Sequence, residues 1–224
     1  MFTKTIKRAA AGLLLSSIAF SVGATSKLPV FQTPDLKNFA EAALDMKNGR
    51  YDSAMTNLRD SARFGNKTAQ YSIGMMYIYG TGVERNWSRG HAWLKLSASH
   101  AEPDYVSARD QVFEQLDEAE KTTTEDIHRE LATIFGDSAA LERRENWVRK
   151  QRRTVTGSRV GSTAAVQVEV SDHRGYTWPV PGPVYFEMLE ESYVLDFRTR
   201  MGEVTYGELN LIEASNASEK SQLP

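Results

Sequence analysis

The residues of this chain best suited to metal or acid–base chemistry are its four histidines, His91, His100, His128 and His173. No two of them lie four apart, the spacing that stacks ligands on one helical face. His91 and His100, nine apart, fall on different faces of one helix or its end. There is no cysteine, so a zinc site would rest on histidine and carboxylates alone, and disulfides, thiol nucleophiles and a lipid-modified terminal cysteine are excluded. Ser158 in TGSRVG lies near Gly157 and Gly161, but a nucleophile elbow needs glycines two before and two after the serine. The S-x-x-K element of serine-based lactam chemistry is absent. Glu118–Glu120 and Glu190–Glu191 fall on a charged helix and in an expected turn, where solvation is the ordinary role of carboxylates. The sequence therefore predicts no catalytic residue, no cofactor and no metal site, and leaves the histidines as exposed or capping residues.

The one Gly-x-Gly, in YIYGTGVERN from Tyr77 to Asn86, raises the question of phosphate binding. A dinucleotide fingerprint needs a third glycine three residues on, after a strand and at the start of a helix. That position is Arg85, and the preceding AQYSIGMMYIY spaces Tyr71, Met75 and Tyr79 four apart, as one helical face. The loop thus ends a helix.

The elements around these residues begin with an export signal. Lys4, Lys7 and Arg8 precede a short apolar run from Ala9 to Phe20, and small residues follow up to Ala24. This pattern predicts a signal peptide over 1–24, cleaved near Ala24, and a periplasmic or secreted protein. Cleavage leaves 24 basic against 29 acidic residues, a net charge of about −5, which argues against general nucleic-acid binding.

The chain repeats itself. YDSAMTNLRDSARFGNKTAQ from Tyr51 aligns with WSRGHAWLKLSASHAEPDYV from Trp87, 36 residues on, pairing Tyr51 with Trp87, Ala54 with Gly90, Leu58 with Leu94 and Ala62 with Ala98. A period in the mid-thirties of helix, turn and helix implies units that bury their apolar faces only by stacking. Apolar periodicity and caps predict helices over 35–48, 51–63, 67–79, 87–99, 103–118, 123–135 and 137–150. Gly49, Gly65 and Gly80 are expected as left-handed C-caps, Asn66 as an N-cap, Pro103 in a first turn, and Thr122 with Glu125 as a capping box.

GNKTAQYSIGMMYIYGTGVERNWSRGHAWLKLSASH, Gly65 to His100, resembles a Sel-one-like repeat, a relative of the tetratricopeptide repeat. The match is carried by Gly65, Asn66, Ala69, Gln70, Gly74, Tyr77, Gly80, Gly82, Val83, Ala92, Trp93 and Ala98. Residues 35–64 resemble a partial preceding unit, and 103–135 a closing helical pair. The resemblance implies that Gly80 and Gly82 reverse the chain between two helices, with Val83 pinning the loop. It also implies that Gly74 and Ala98 mark close helix contacts, and that the protein is an interaction scaffold more readily than an enzyme.

Beyond RRENWVRKQRRTVTGSRVGS the pattern alternates. VQVEV sets Val166, Val168 and Val170 on one face, and YVLDFRTR sets Tyr193, Leu195 and Phe197 opposite Asp196, Arg198 and Arg200. Strands are expected in both, with TWPVPGPV as a Pro-rich link and a hairpin near Met201 and Gly202. The resulting fold class is mainly α, a short α/α solenoid followed by a small antiparallel β region. The helical repeat domain covers 35–150, the β module 155–212 and a disordered tail 213–224.

Two residue groups are candidates for partner binding. Tyr71, Tyr79 and Trp87 belong to an aromatic set that is mostly core, of which one or two could line a concave groove. Arg149, Arg152 and Arg153 belong to a basic run from Arg143 to Arg159. A stripe of that kind can meet an anionic surface, each exposed cation adding on the order of 1 kcal/mol, or act as a solvated helix face. The reading that follows is a periplasmic adaptor or scaffold with a protein partner in the cell envelope. The alternative is an envelope enzyme or binder acting on peptidoglycan or β-lactams.

Overall fold

The computed structural model describes residues 31–156, 163–164, 166–172 and 175–201. The signal segment with Ala24, the Ser158 loop with Arg159, His173, the hairpin expected beyond Met201 and the tail 213–224 lie outside them. The order is α1 (Pro34–Lys47), α2 (Tyr51–Ala62), α3 (Lys67–Tyr79), α4 (Trp87–Ser97), α5 (Pro103–Phe113), α6 (Glu118–Phe135), α7 (Asp137–Thr156), β1 (Gln167–Ser171), β2 (Thr177–Pro181), α8 (Gly182–Glu190) and α9 (Asp196–Arg200). A 3₁₀ turn, Ala98–His100, ends α4, and a π-helical turn, Glu191–Leu195, joins α8 to α9. The chain is mainly helical, with one small two-stranded antiparallel sheet.

The first four helices form two hairpins, α1 with α2 and α3 with α4. In the first turn Asp45, depressed in pKa chiefly by its Ser53 and Arg50 hydrogen bonds, accepts from Arg50, Ser53 and Asn57 and so ties α1 to α2. In the second, Gly80 and Gly82 both take left-handed φ, 70° and 69°. A Cβ on Gly82 would stand 2.1 Å from that of Tyr51, so the glycine pair reverses the chain tightly against α2. Asn66 and Asn86 cap α3 and α4 by accepting the Ala69 and Arg89 N–H groups. Gly74 and Gly90 let α3 and α4 cross closely, since a Cβ on Gly90 would meet Ile78 at 2.6 Å.

Ala42, Leu58, Ala62, Ile73, Met76, Tyr77, Trp93, Leu96 and Phe135 make one core from α1 to α4 and α6. Trp93 packs on Phe135 at 4.6 Å between ring centres. Gln70, fully buried, donates to the Ala62 and Phe135 carbonyls and closes the ends of α2 and α6. Lys67 pairs with Asp137, which also accepts from Ser99, so α7 starts against the feet of α3 and α4.

Three expectations change. Helix α6 starts at Glu118, with Asp117 and Glu120 as its capping box, where the sequence pointed to Thr122 and Glu125; the earlier acidic pair satisfies the first N–H groups and Thr122 falls inside the helix. The segment Tyr193–Arg200, expected as a strand, is helical. Its buried residues Tyr193, Val194 and Phe197 continue the helical period of Phe186 and Leu189 in α8, while Leu195 is exposed, so the apparent alternation was a sampling of that period. TWPVP is itself strand β2, and the β module contracts to Gln167–Ser171 paired with Thr177–Pro181, Val170 facing Trp178. Both prolines are tolerated because a two-stranded ribbon has outward edges that need no N–H donor.

The carboxy-terminal helices pack on α7 through Val148, Phe186, Leu189, Tyr193 and Val194, with Phe31 and Phe64 at the margin. One side chain joins this layer to the amino-terminal helices. Arg144, 7% exposed, donates to the Phe64 and Tyr193 carbonyls at 2.6 and 2.9 Å and to Asp35 at 3.2 Å. Its guanidinium lies 4.2 Å from the ring centres of both Tyr193 and Phe197. Burial lowers its pKa, with Asp35 acting against that shift, and a guanidinium stays charged nonetheless. Arg144→Met is expected to cost about 3 kcal/mol, because Asp35 is then buried without its cation. A companion Asp35→Leu should return part of that loss. Urea unfolding of the single and double variants checks both expectations.

Candidate binding groove

Tyr71, Tyr79 and Trp87 come together. They line an open groove of about 520 Å³ whose floor is Met75, Ile78 and Val112 and whose far wall is α5 with the turn that follows it, presenting Asp104, Ser107 and Gln111, then Glu114 and Gln115. The helical spacing that puts Tyr71, Met75 and Tyr79 on one face of α3 produces one wall, and Trp87, the first residue of α4, closes the end. Tyr79 is 68% exposed, whereas Tyr77, two residues earlier and on the other face, is core and accepts from Arg59 at 3.2 Å.

Beneath the groove Ile78, Leu94 and Val112 form a small core against which Tyr71, Met75 and Trp87 rest. Tyr71 and Tyr105 lie 5.2 Å apart, and the Tyr105 hydroxyl meets that of Thr68 at 2.9 Å, joining α3 to α5. Burial, then Tyr79, Tyr105 and Asp104, raises the Tyr71 pKa, so its hydroxyl is neutral over the physiological range. The Arg85 guanidinium reaches the Trp87 ring from outside the lining, 5.9 Å from its centre.

The α5 wall was not identified from the sequence. Asp104, Ala108, Gln111 and Gln115 share one helical stripe, a signal obscured because its residues are mostly polar and read as a solvated face.

The basic candidates lie elsewhere. Arg149 and Arg152 line a second cleft of about 250 Å³ between α7 and the π turn, with Glu145, Val148, Glu190, Val194, Leu195 and Arg198. Arg152 pairs with Glu190 at 3.2 Å and lies over Phe186, Arg198 pairs with Glu145, and Arg153 is exposed. Arg143 donates to the Arg63 and Ile134 carbonyls. Together with buried Arg144 it serves the fold, so the basic run is not a uniform surface stripe.

His91 also departs from the expectation of an exposed or capping residue, being 2% exposed. It stacks on Phe113 of α5 at 5.4 Å, and neither ring nitrogen has a hydrogen-bond partner among the described residues. Among the described residues no three His, Asp or Glu side chains are grouped to hold a metal ion, and no helix is long and apolar enough to cross a membrane. Compared with known protein families, curated proteins and solved structures, the chain gives no match.

Burial, reinforced by Lys95, pushes the His91 pKa down to about 4 from the 6.5 of an unperturbed imidazole. Between these values the unfolded chain holds a proton that the folded one lacks, so this group's contribution to stability is complete above pH 6.5 and is lost as pH falls toward 4. The loss is about 2 to 3 kcal/mol. His91→Leu should flatten the wild-type stability profile over that interval by this amount, as measured by denaturant unfolding from pH 7 to pH 4.

Proposed function

We propose that this protein is a non-catalytic adaptor of the bacterial cell envelope, exported after cleavage near Ala24, whose Sel-one-like hairpins stack as a short α/α solenoid and hold a protein partner in the groove between α3 and α5. The observation that carries this reading is the convergence of Tyr71, Tyr79 and Trp87, apolar in body and polar at the tip, on one open concavity. Aromatic side chains that are exposed but firmly based are the usual anchors of protein interfaces, because they contribute large area at little entropic cost. The groove is rigid on both sides, with α3 and α4 locked by Gly74 and Gly90 and α5 held by the Thr68–Tyr105 contact. In this reading the carboxy-terminal layer stiffens the array, and the exposed Arg149 and Arg153 of the basic run 143–159 add contact with an anionic surface.

The test is crosslinking of the tagged full chain in intact cells, followed by mass spectrometry of captured proteins. The same partner should be recovered about tenfold less with Tyr79→Ala and with Trp87→Ala, as for interface anchors. Circular dichroism verifies that each variant is folded. Equal recovery by all three proteins, or no capture above background, contradicts the adaptor reading.

A further inference from the structure

The groove carries negative charge with no cation in its lining. Its ionisable lining apart from the tyrosines is Asp104 and Glu114, both exposed and neither ion-paired among the described residues. Four carboxylates nearby on α5 and α6 are matched within the chain: Asp110 with Arg109 at 2.7 Å, Glu118 with Lys121 at 2.7 Å, Glu125 with Lys95 at 2.6 Å and Asp126 with Arg129 at 3.0 Å. No Lys or Arg lines the groove. Two unmatched carboxylates on one wall thus face aromatic rings on the other, and a side chain lying between them meets negative charge on one side and the negative face of a ring on the other.

We propose that the occupant of this groove is a cationic segment of a protein partner, its Arg or Lys side chains lying over Tyr79 and Trp87 and pairing with Asp104 and Glu114 while an apolar residue settles on Met75, Ile78 and Val112. The proposal rests on the reading of the groove as the partner site. Arg85, 5.9 Å from the Trp87 ring centre, shows within the chain that this indole takes a guanidinium as a neighbour. An acidic segment would set its charge against Asp104 and Glu114, with Arg85 alone to offset it. A guanidinium suits the site better than an ammonium, because its planar face stacks on a ring while its edge donates to a carboxylate.

The probe is a set of three fluorescein-labelled peptides on one apolar frame, Leu-x-x-Leu-Phe-x-x-Leu, with x all Arg, all Gln or all Glu, titrated into the purified full chain by fluorescence anisotropy. The Arg peptide is expected to bind about tenfold tighter than the Gln peptide at low salt, the Glu peptide weakest, and the Arg advantage to shrink in 0.5 M salt as screening requires. Asp104→Asn combined with Glu114→Gln should bring the Arg and Gln peptides to within about twofold, as both substitutions lie on exposed positions and keep the side-chain shape. Tyr79→Ala should weaken the Arg and Gln peptides alike.

Equal affinities for the Arg and Gln peptides, or an Arg preference that survives the double substitution, overturn the cationic occupant. If Tyr79→Ala still weakens binding in that case, the groove stands as a binding site of another specificity. Binding indifferent to Tyr79→Ala and to Trp87→Ala, or no binding by any peptide, removes the groove itself and the proposal with it.

Discussion

The fold depends on one buried cation. Arg144 sits where four segments meet: the start of α1 through Asp35, the α2–α3 turn through the Phe64 carbonyl, α7 through its own backbone, and the π turn with α9 through Tyr193 and Phe197. A guanidinium can do this because its five donors and two faces satisfy carbonyls, a carboxylate and aromatic rings at once. Leaving any of those partners unmatched in the interior costs more than the pairing contributes, so the arrangement is all or nothing. Gly65 completes it, since a Cβ there would lie 2.5 Å from the Phe197 ring, and only a bare backbone lets α9 close on the α2–α3 turn.

That closure bears on function through rigidity. A helical hairpin buries one face and leaves another open, so two hairpins need a third layer to keep their angle. Here α6 and α7 supply it on one side, through Phe135 on Trp93 and Lys67 on Asp137. The groove opens on the other side, between α3 and α5. A surface that recognises a partner with a few aromatic anchors benefits from walls that do not reorganise on binding. Polar ties, the buried Gln70 to two helix-end carbonyls and the half-buried Thr68 to Tyr105, hold those walls in a single arrangement.

Local rules were legible wherever a residue type answers to a backbone need. The bounds of α2 and α3 and the starts of α4 and α7 follow from Gly65, Asn66, Gly80, Gly136 and the apolar periodicity around them, while α7 runs on to Thr156, past the end at 150 that the sequence indicated. The spacing of Tyr71 and Tyr79 places them on one face of a helix, and the aromatic set with Trp87 reads as mostly core with one or two residues free to line a groove, but their meeting with α5 depends on how α5 folds back over α4, which no local pattern encodes. Arg144 was invisible for the opposite reason: one arginine in RRENWVRKQRR looks like the others, and only tertiary packing decides which of them is interior. Residues 193–200 misled because alternate apolar positions over eight residues satisfy both periods, and the decisive residues, Phe186 and Leu189, lie upstream of that window. His91 likewise sits in a helix whose every face is covered, by α3, α5 and α6, a circumstance set by the number of neighbours and not by its own sequence.

The most direct measurement is site-specific photocrosslinking in living cells, with a photoreactive phenylalanine analogue placed at Tyr79 or Gln111 on the groove and at Leu44 or Tyr176 on exposed surfaces remote from it. The account predicts that one partner crosslinks from Tyr79 and Gln111 and not from Leu44 or Tyr176. A partner captured from Leu44 or Tyr176 while Tyr79 and Gln111 stay silent would contradict it, and would place the working surface of the protein outside the α3–α5 groove.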